Sequence, residues 1–558
     1  MTFVLQSGAP EYPRVRRDGR WGLPVYTGQR LPPALAAFAA PRHSWEFMVQ
    51  DIINERQPVP GPVRPRPDLR AYQRPRVEEM RAAHASGAPG YLLAYPTGSG
   101  KTSMAVNTVL DLPVSTVLVV TKLSVVPAFR ATIDYFGAGE QRWVVINPEQ
   151  LWRLFEHPWL PLGSLPADEA AQIAAASGHS RVAFGAVVTD ESHILADPAS
   201  NRSRLHYRLM HPEQGPRPWW LRMSATPFST PSETAYASDL IAHVAGVEEP
   251  EDLAKSEYLD WLRDLGFALN MDATGRWFHQ VNEHDVGLVE QLLYTSGVGA
   301  TATPEQLGLP SQTRELRPVD LSPAEGLQYE QAWAEFRQAN GLETVAASDE
   351  ESSGGRSSAL RRVQRASYLK APYVARIVAD LVGRGYQVAV PTWYLDSVHA
   401  LAVHIARELK ALGLPDKVGE ITGEAPGLRE RIRRAFQLGR CLVVVVNALE
   451  GINLHAGERD VDGQGHDATS APRASVIADV LTGGRRTLQA EGRTQRDGQH
   501  SIAVYVYARG TTEEAWLERC LRAAASTQAL AQSAADAEAL SELADQLDPF
   551  AGSTAEAS

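Results

Sequence analysis

The sequence is poor in cysteine: Cys441 and Cys520 are the only two among 558 residues. Two cysteines cannot build a disulfide framework or a zinc cluster in a chain of this length, so a hydrophobic core must carry the fold in a reducing setting. Cys441 opens the apolar run CLVVVV and reads as a small buried hydrophobe. No apolar run approaches the roughly 18 residues that a membrane span requires. The first residues, MTFVLQSGAPEYPRVRR, lack a basic region followed by an apolar stretch, the pattern of a secretory signal. A soluble, cytoplasmic protein with no membrane partner is expected. The 15 histidines show no metal-ligand spacing, and His206 and His211 read as surface residues. Positive charge is also scarce, with 54 Lys and Arg against 66 Asp and Glu and a net charge of −12. On average that argues against a phosphate-rich partner, although an average hides local pattern.

What is present is the composition of a globular protein: 44% hydrophobic and 22% charged residues. At about 100–200 residues per domain the length accommodates several compact units. Residues 1–67 are a Pro/Arg-rich arm. From 68 to 227 short β-branched runs (Val117–Val120, Trp143–Ile146, Val182–Val188, Trp220–Met223) alternate with helical stretches. Such alternation predicts parallel βαβ units covered on both sheet faces. Residues 228–358 read as a helical insertion ending in SDEESSGGRSS, a polar and mobile linker at 348–358. A second βα alternation fills 359–522, with helices at 368–384, 395–412 and 428–437. Strands are expected at QVAVPTW, Lys417–Ile421, Leu442–Val446, Ser475–Leu481 and Ser501–Tyr507. The fold class is therefore α/β: two parallel-sheet lobes with a helical middle insertion. Residues 523–558 form an acidic, Ala-rich tail. It has no Lys or Arg and carries Asp536, Glu538, Glu542, Asp545, Asp548 and Glu556.

The most specific motif is PTGSGKT. Thr97, Gly98, Ser99, Gly100, Lys101 and Thr102 follow the apolar Tyr91-Leu92-Leu93 and precede the helical SMAVNTVL. A strand, a Gly-rich turn and a helix start direct backbone N–H groups and helix-end potential at an anion. Lys101 would reach the β- and γ-phosphates, and the Thr102 hydroxyl would ligate Mg²⁺. Tyr95 stands where the strict pattern has its first glycine. The apolar run ending in Val187-Val188-Thr189 delivers Asp190 and Glu191 at a strand end. At the carboxyl edge of a parallel sheet, Asp190 could hold Mg²⁺ while Glu191 orients and deprotonates an attacking water. Ser224-Ala225-Thr226-Pro227 places two hydroxyls at another strand end. Further on, Arg493 and Arg496 are three apart, hence on one helix face, where they could contact a γ-phosphate.

Taken in order, PTGSGKT, DESH, SATP, EGINLHA and QAEGRTQRDGQ resemble the superfamily 2 helicase-like ATPases, and within them the Swi/Snf-type group. QAEGRTQRDGQ is similar to that group's Q-A-x-G-R-x-x-R-x-G-Q, and Leu69-Arg70-Ala71-Tyr72-Gln73 to its L-R-x-Y-Q element. Val119-Val120-Thr121-Lys122 with Pro127 resembles the strand and loop that touch a nucleic-acid strand. Gly423 with Arg429 and Phe436 resembles a G…R…F segment, and Gly510-Thr511-Thr512-Glu513-Glu514 the G-T-x-E-E helix start. Thr511 to Glu514 is also a capping box. EGINLHA followed by a polar insertion resembles the strawberry notch-like relatives as well. Ala448-Leu449 depart from the Gly-Gly that usually precedes E-G-x-N-L.

The resemblance covers roughly residues 68–525 and implies two RecA-like lobes with ATP and Mg²⁺ between them. It implies that Gln73 reads adenine and that Gly98, Gly100, Lys101 and Thr102 hold phosphates and metal. Asp190 and Glu191 would run hydrolysis, and Arg493, Arg496 and Gln489 would complete the site. His193, Ser224, Ala225 and Thr226 would couple it to a nucleic-acid groove. Thr121, Lys122, Trp393, Asn447 and Asn453 are the candidate groove contacts, Trp393 by base stacking. Basic segments at 14–20, 64–76, 356–365 and 429–440 suggest a phosphate track. The expected activity is that of an ATP-dependent DNA translocase or helicase, DNA being favoured over RNA. An RNA-dependent ATPase and an ATP-gated strand clamp that anneals without net unwinding are the alternatives. Truncating the acidic tail at Ala523 is expected to tighten DNA binding.

Overall fold

A computed structural model gives the structure of the chain. It describes residues 2–5, 15–17, 20–25, 49, 52–53, 68–138, 140–213, 215–253, 256–271, 277–278, 281–309, 312–339, 353–422, 426–447, 452, 454–458, 461–462, 464–480, 483–495 and 501–547. Two six-stranded sheets organise it. The first holds β1 (Gly90–Ala94), β2 (Thr116–Val120), β3 (Arg142–Ile146), β4 (Ala186–Asp190), β5 (Trp219–Met223) and β6 (Gly299–Thr301), in the order β6-β1-β5-β4-β2-β3. Its pairs β6–β1, β4–β2 and β2–β3 run parallel. Every residue of β1, β4 and β5 is buried. That is why these strands read as continuous apolar runs and not as alternations. Helices α1 (Gln73–Ala85), α2 (Lys101–Leu110) and α3 (Asn201–Met210) belong to this part of the chain. Helix α1 buries Val77, Met80 and Ala83, one stripe at helical spacing.

The second sheet holds β7 (Thr313–Val319), β8 (Gln387–Pro391), β9 (Val418–Ile421), β10 (Val443–Val446), β11 (Arg473–Ile477) and β12 (Ser501–Ala508), in the order β7-β12-β11-β8-β10-β9. All five pairings are parallel. Side chains alternate between two cores. Val388, Val390, Val443 and Val445 pack in one, with Val374 and Val378 of α4 (Ser353–Gly383) and Leu401 and Ile405 of α5 (Leu395–Ala411). Ala389, Val444 and Val446 pack in the other, with Phe436, Ile452 and Leu454. The period of two along each strand puts neighbours on opposite faces. Three later helices complete this part: α6 (Gly484–Glu491), α7 (Thr512–Leu530) and α8 (Ala534–Asp545). At the start of α7 the Thr511 hydroxyl accepts from Glu513 N, and Gly510 N donates to the Glu514 carboxylate. This is close to the expected capping box.

By contact density the chain divides into two units. One is Met1–Tyr91 with Thr102–Arg222; the other is Leu92–Lys101 with Met223–Ser558. The first boundary falls within β1.

The structure refines four expectations about organisation. The middle segment is helical as expected, with helices Ser238–Ala245, Ser256–Asp264, Glu283–Val289 and Pro323–Ala339, and it also holds two strands: β6 pairs with Leu92–Ala94 and β7 with β12 along its whole length. The polar stretch at 348–358 is not all linker: helix α4 starts at Ser353, and residues 348–352 lie outside the described residues. The acidic tail does not stand apart. Helix α7 runs through position 523, and Ala524, Ala525, Leu540, Leu543 and Ala544 join Leu517, Leu521 and Tyr505 in one core cluster. Truncation at Ala523 would strip that core, so it cannot serve as a clean test of charge competition. The run Val182–Val188 also shortens, with strand geometry beginning only at Ala186. Among the described residues no helix is long and apolar enough to cross a membrane.

Candidate active site

The phosphate loop leaves β1 and ends at the first turn of α2. Gly98 and Gly100 adopt φ of 85° and 80°, a left-handed backbone that a β-carbon would oppose. Ser99 between them is fully buried, its hydroxyl donating to Pro96 O at 2.8 Å. Lys101 Nζ donates to Tyr95 O at 2.7 Å and to Pro96 O at 3.1 Å. The bulky Tyr95 is accommodated because its side chain is buried, 2% exposed, while its carbonyl stays on the loop. Thr97 is exposed, and Thr102 occupies the next turn position in the helix. Gln73 opens α1 with its Oε1 accepting from Arg70 N at 3.0 Å.

The acid pair ends β4 within the first unit. Glu191 lies at φ 52°, ψ 49°. Among the described residues only Glu191 and Gln532 take positive φ without being glycine. Such backbone costs of order 1–3 kcal/mol and concentrates at functional positions. His193 Nδ1 lies 3.3 Å from Glu191 Oε2. Asp190 Oδ2 accepts from Thr121 Oγ1 at 2.8 Å. Thr121 is fully buried, so it is not a groove contact as the sequence suggested; its hydroxyl is engaged in orienting Asp190. Behind the pair, Thr189 Oγ1 accepts from Trp220 Nε1 at 2.9 Å and lies 2.7 Å from His206 Nε2. His206 stacks on Trp220 with ring centroids 4.5 Å apart, and the Arg222 guanidinium sits 3.5 Å from the Trp220 ring centroid. His206 is thus buried and not at the surface. Burial and the Arg222 charge push its pKa down to about 3. His211 is partly buried and stacks on Tyr207 at 3.9 Å.

Apart from Lys122, the remaining candidates lie in the second unit. Ser224 N donates to Leu93 O, and Ser224 Oγ accepts from Thr226 N at 3.1 Å; Ala225 between them is half-buried. Arg485, on the first turns of α6, donates from Nε to Thr226 O at 3.0 Å and from Nη2 to Pro227 O at 3.2 Å. It also pairs with Glu233. Sequence reading passed over this arginine, whose only signal was its place in GGRRTLQ just ahead of Gln489. Gln489 lies half-buried on α6, and Arg493 follows two residues beyond the helix. Gly492 faces the phosphate loop. A β-carbon there would lie 3.7 Å from Thr97 Oγ1, so the backbone of this turn is in van der Waals reach of the loop. Arg496 lies outside the described residues, as do Asn453, Gly451 and Gly423.

Trp393 is not an open stacking platform. Arg486 covers its ring at 4.3 Å, its N donates to the buried Asp479 at 2.6 Å, and its carbonyl accepts from Asn447 Nδ2 at 2.9 Å. Asp479 also accepts from Thr392 and Ser367, so this carboxylate organises the turn after β8. Lys122 is half-buried at the turn before the helix Val126–Phe136, beside Leu123, which is 67% exposed.

Residues 66–229 match the family described as type III restriction enzyme, res subunit. No curated protein matches the chain. Among solved structures, the chain is similar to one described as the Sulfolobus solfataricus SWI2/SNF2 ATPase core in complex with dsDNA. The identity is 16%, over 88% of this chain and 98% of that one, with a TM-score of 0.31. A likeness of that strength carries no inference about function. The family match spans the segment that holds the phosphate loop, the acid pair and Ser224-Ala225-Thr226.

Proposed function

We propose that this chain is a nucleic-acid-dependent ATPase that uses ATP hydrolysis to move along or remodel DNA. The observation that carries the reading is the phosphate loop. Two left-handed glycines and the first turn of α2 bring Lys101 to an anion cradle, with Gly492 packed against Thr97. In this reading Lys101 exchanges its loop carbonyls for the β- and γ-phosphates of ATP. Thr102 and Asp190 offer a hydroxyl and a carboxylate, hard oxygen donors that suit Mg²⁺ alongside phosphate and water oxygens. When bound, the metal neutralises phosphate charge. Glu191 orients the attacking water and takes its proton. Arg493 and Arg496 balance charge that develops on the γ-phosphate, with Gln489 beside them, and Gln73 recognises adenine.

Coupling of the site to nucleic acid is assigned to His193, through Glu191, and to Ser224-Ala225-Thr226. Lys122, Asn447 and Asn453 remain candidate strand contacts, with Trp393 contributing through Arg486 in place of base stacking. The Swi/Snf-type and strawberry notch-like features of the second lobe, and a cytoplasmic location, belong to the same reading.

The test is ATP hydrolysis with single-stranded DNA, duplex DNA, forked DNA and RNA, alongside Lys101→Ala and Glu191→Gln. Stimulation by DNA and a loss of about 10²-fold or more in either variant are expected. Hydrolysis indifferent to every nucleic acid, or to both substitutions, would overturn the proposal. Stimulation by RNA alone would replace DNA as the partner. Strand displacement on a fork, triplex displacement on a duplex, and annealing without either separate unwinding, translocation and clamping.

A further inference from the structure

The turn that faces the phosphate loop is held from behind by a buried ion cluster in which only Glu491 belongs to a motif named above. Glu491 is the last residue of α6, one position before Gly492 and two before Arg493. Its carboxylate accepts from Arg314 Nη2 at 2.8 Å and Nε at 3.0 Å, and from Tyr505 Oη at 2.7 Å. Its backbone oxygen accepts from Gln312 Nε2 at 3.1 Å. Arg314, on the edge strand β7, turns its remaining terminal nitrogen to Asp536 Oδ1 at 2.8 Å. Asp536 sits in the first turn of α8. The side chains of Arg314 and Glu491 are 7% and 3% exposed, and that of Asp536 is 19% exposed. These distances and this burial are those of charge-assisted bonds shielded from water.

We propose that Arg314 and Asp536 are positioning residues for the hydrolysis assigned above: acting through Glu491, they fix the turn Glu491–Gly492–Arg493 against the phosphate loop. The inference rests on the ATPase reading of that loop. Helix α6 is short and is followed by a glycine, so little within it fixes the direction in which the next arginine leaves. A planar guanidinium bound to two carboxylates removes that freedom, because its nitrogens form a rigid fork. Helix α8, which carries no recognised motif, thereby contributes to the site.

The cluster carries one cation and two carboxylates, which makes a clean variant available. Asp536→Asn leaves Arg314 doubly bonded to Glu491 and strands no buried charge, so the fold persists. It removes the charge of the outer anchor and so turns a charge-assisted bond to the guanidinium into a weaker neutral one, while the contact from Ser533 Oγ can persist. We expect kcat for ATP hydrolysis to fall about tenfold, the scale on which groups behind a reacting site act. KM for ATP should stay within about twofold, because the phosphate loop is untouched. Asp536→Glu should recover most of the rate. Amide hydrogen exchange over α6 and Arg493 should quicken about tenfold in Asp536→Asn and revert in Asp536→Glu.

Rates are compared well below the melting temperature of each variant. An unchanged kcat in Asp536→Asn beside an active wild type overturns the proposal, whatever the melting temperature does. So does unchanged exchange over α6. The ATPase reading fails separately: if Lys101→Ala hydrolyses ATP as fast as wild type, that reading falls, and exchange over α6 still decides whether the brace exists.

Discussion

The two sheets bury their polar groups in different ways. In the first unit hydroxyls do the joining: Thr121 orients Asp190, and Thr189 ties β4 to His206 and Trp220. The second unit has such hydroxyl contacts too, at Asp479, and adds buried cations paired with carboxylates. Lys370 Nζ meets both Glu513 oxygens at 2.7 Å with both side chains fully buried, and Arg314 bridges Glu491 and Asp536. The chemistry proposed for each side explains the contrast. An acid that must bind and release a metal and a water is better held by a neutral donor, which leaves its charge available. Helices that only have to stay in place tolerate full ion pairing.

The contrast predicts unequal costs of disruption, the largest in the second unit. Lys370→Met should destabilise it by about 3–5 kcal/mol in chemical denaturation, since Glu513 would be left buried and uncompensated. Replacing both members, Lys370→Met with Glu513→Leu, should recover most of that loss. If the single substitution costs no more than an exposed ion pair, the second sheet is not braced by charge and the contrast collapses. In the first unit, Thr121→Val keeps the shape and removes one bond to a carboxylate. We expect a loss of about 1.5–3 kcal/mol, with a fall in kcat at unchanged nucleic-acid affinity. A Thr121→Val enzyme that loses nucleic-acid affinity instead would return this residue to the groove.

Over the narrow window from pH 6.5 to 5, the smallest effect is the pH response of His206. Its pKa is pushed from the ordinary 6.5 to about 3 in the fold, so between those values the unfolded chain binds the extra proton. Stability from a neutral His206 is therefore complete above about pH 6.5 and is lost as pH falls towards 3, by at most about 1.4 kcal/mol per pH unit. His206→Gln should flatten this fall between pH 6.5 and 5 in urea titrations of the first unit. Parallel wild-type and variant curves would mean that His206 accepts a proton in the folded state.

Most of the βα alternation was legible in the sequence because strands covered on both faces are runs of Val, Ile, Leu and Ala with no competing period. The phosphate loop was legible because its chemistry is local: one turn supplies both the glycines and the lysine. What escaped depends on distant partners. Strand β6 is a three-residue segment, Gly299–Thr301, made a strand by its pairing with β1. Strand β7 reads TRELRPV, a polar sequence suited to a sheet edge and silent about its partner. His206 looked like an exposed imidazole because nothing in NRSRLHYRLM announces that Trp220 and Thr189 enclose it. The same blindness made Thr121 a groove residue and the last helices a solvent-exposed tail. Acidity in 523–547 is interleaved with Ala and Leu at helical spacing, and those apolar positions were the signal that the segment packs.

The Arg314 cluster also bears on the order in which the molecule assembles. Arg314 meets Glu491 across 177 residues of chain and Asp536 across 222. Contacts of such separation form late, after the loop-closure entropy between them has been overcome. On a ribosome β7 emerges with no strand beside it and a guanidinium with no counter-ion, and both wait until β12 and then α8 follow. The phosphate loop and acid pair are synthesised long before, yet in the proposed brace the turn that faces the loop gains its last anchor when residue 536 arrives. Geometry at the proposed catalytic turn is thus withheld from the nascent chain until its second sheet is closed.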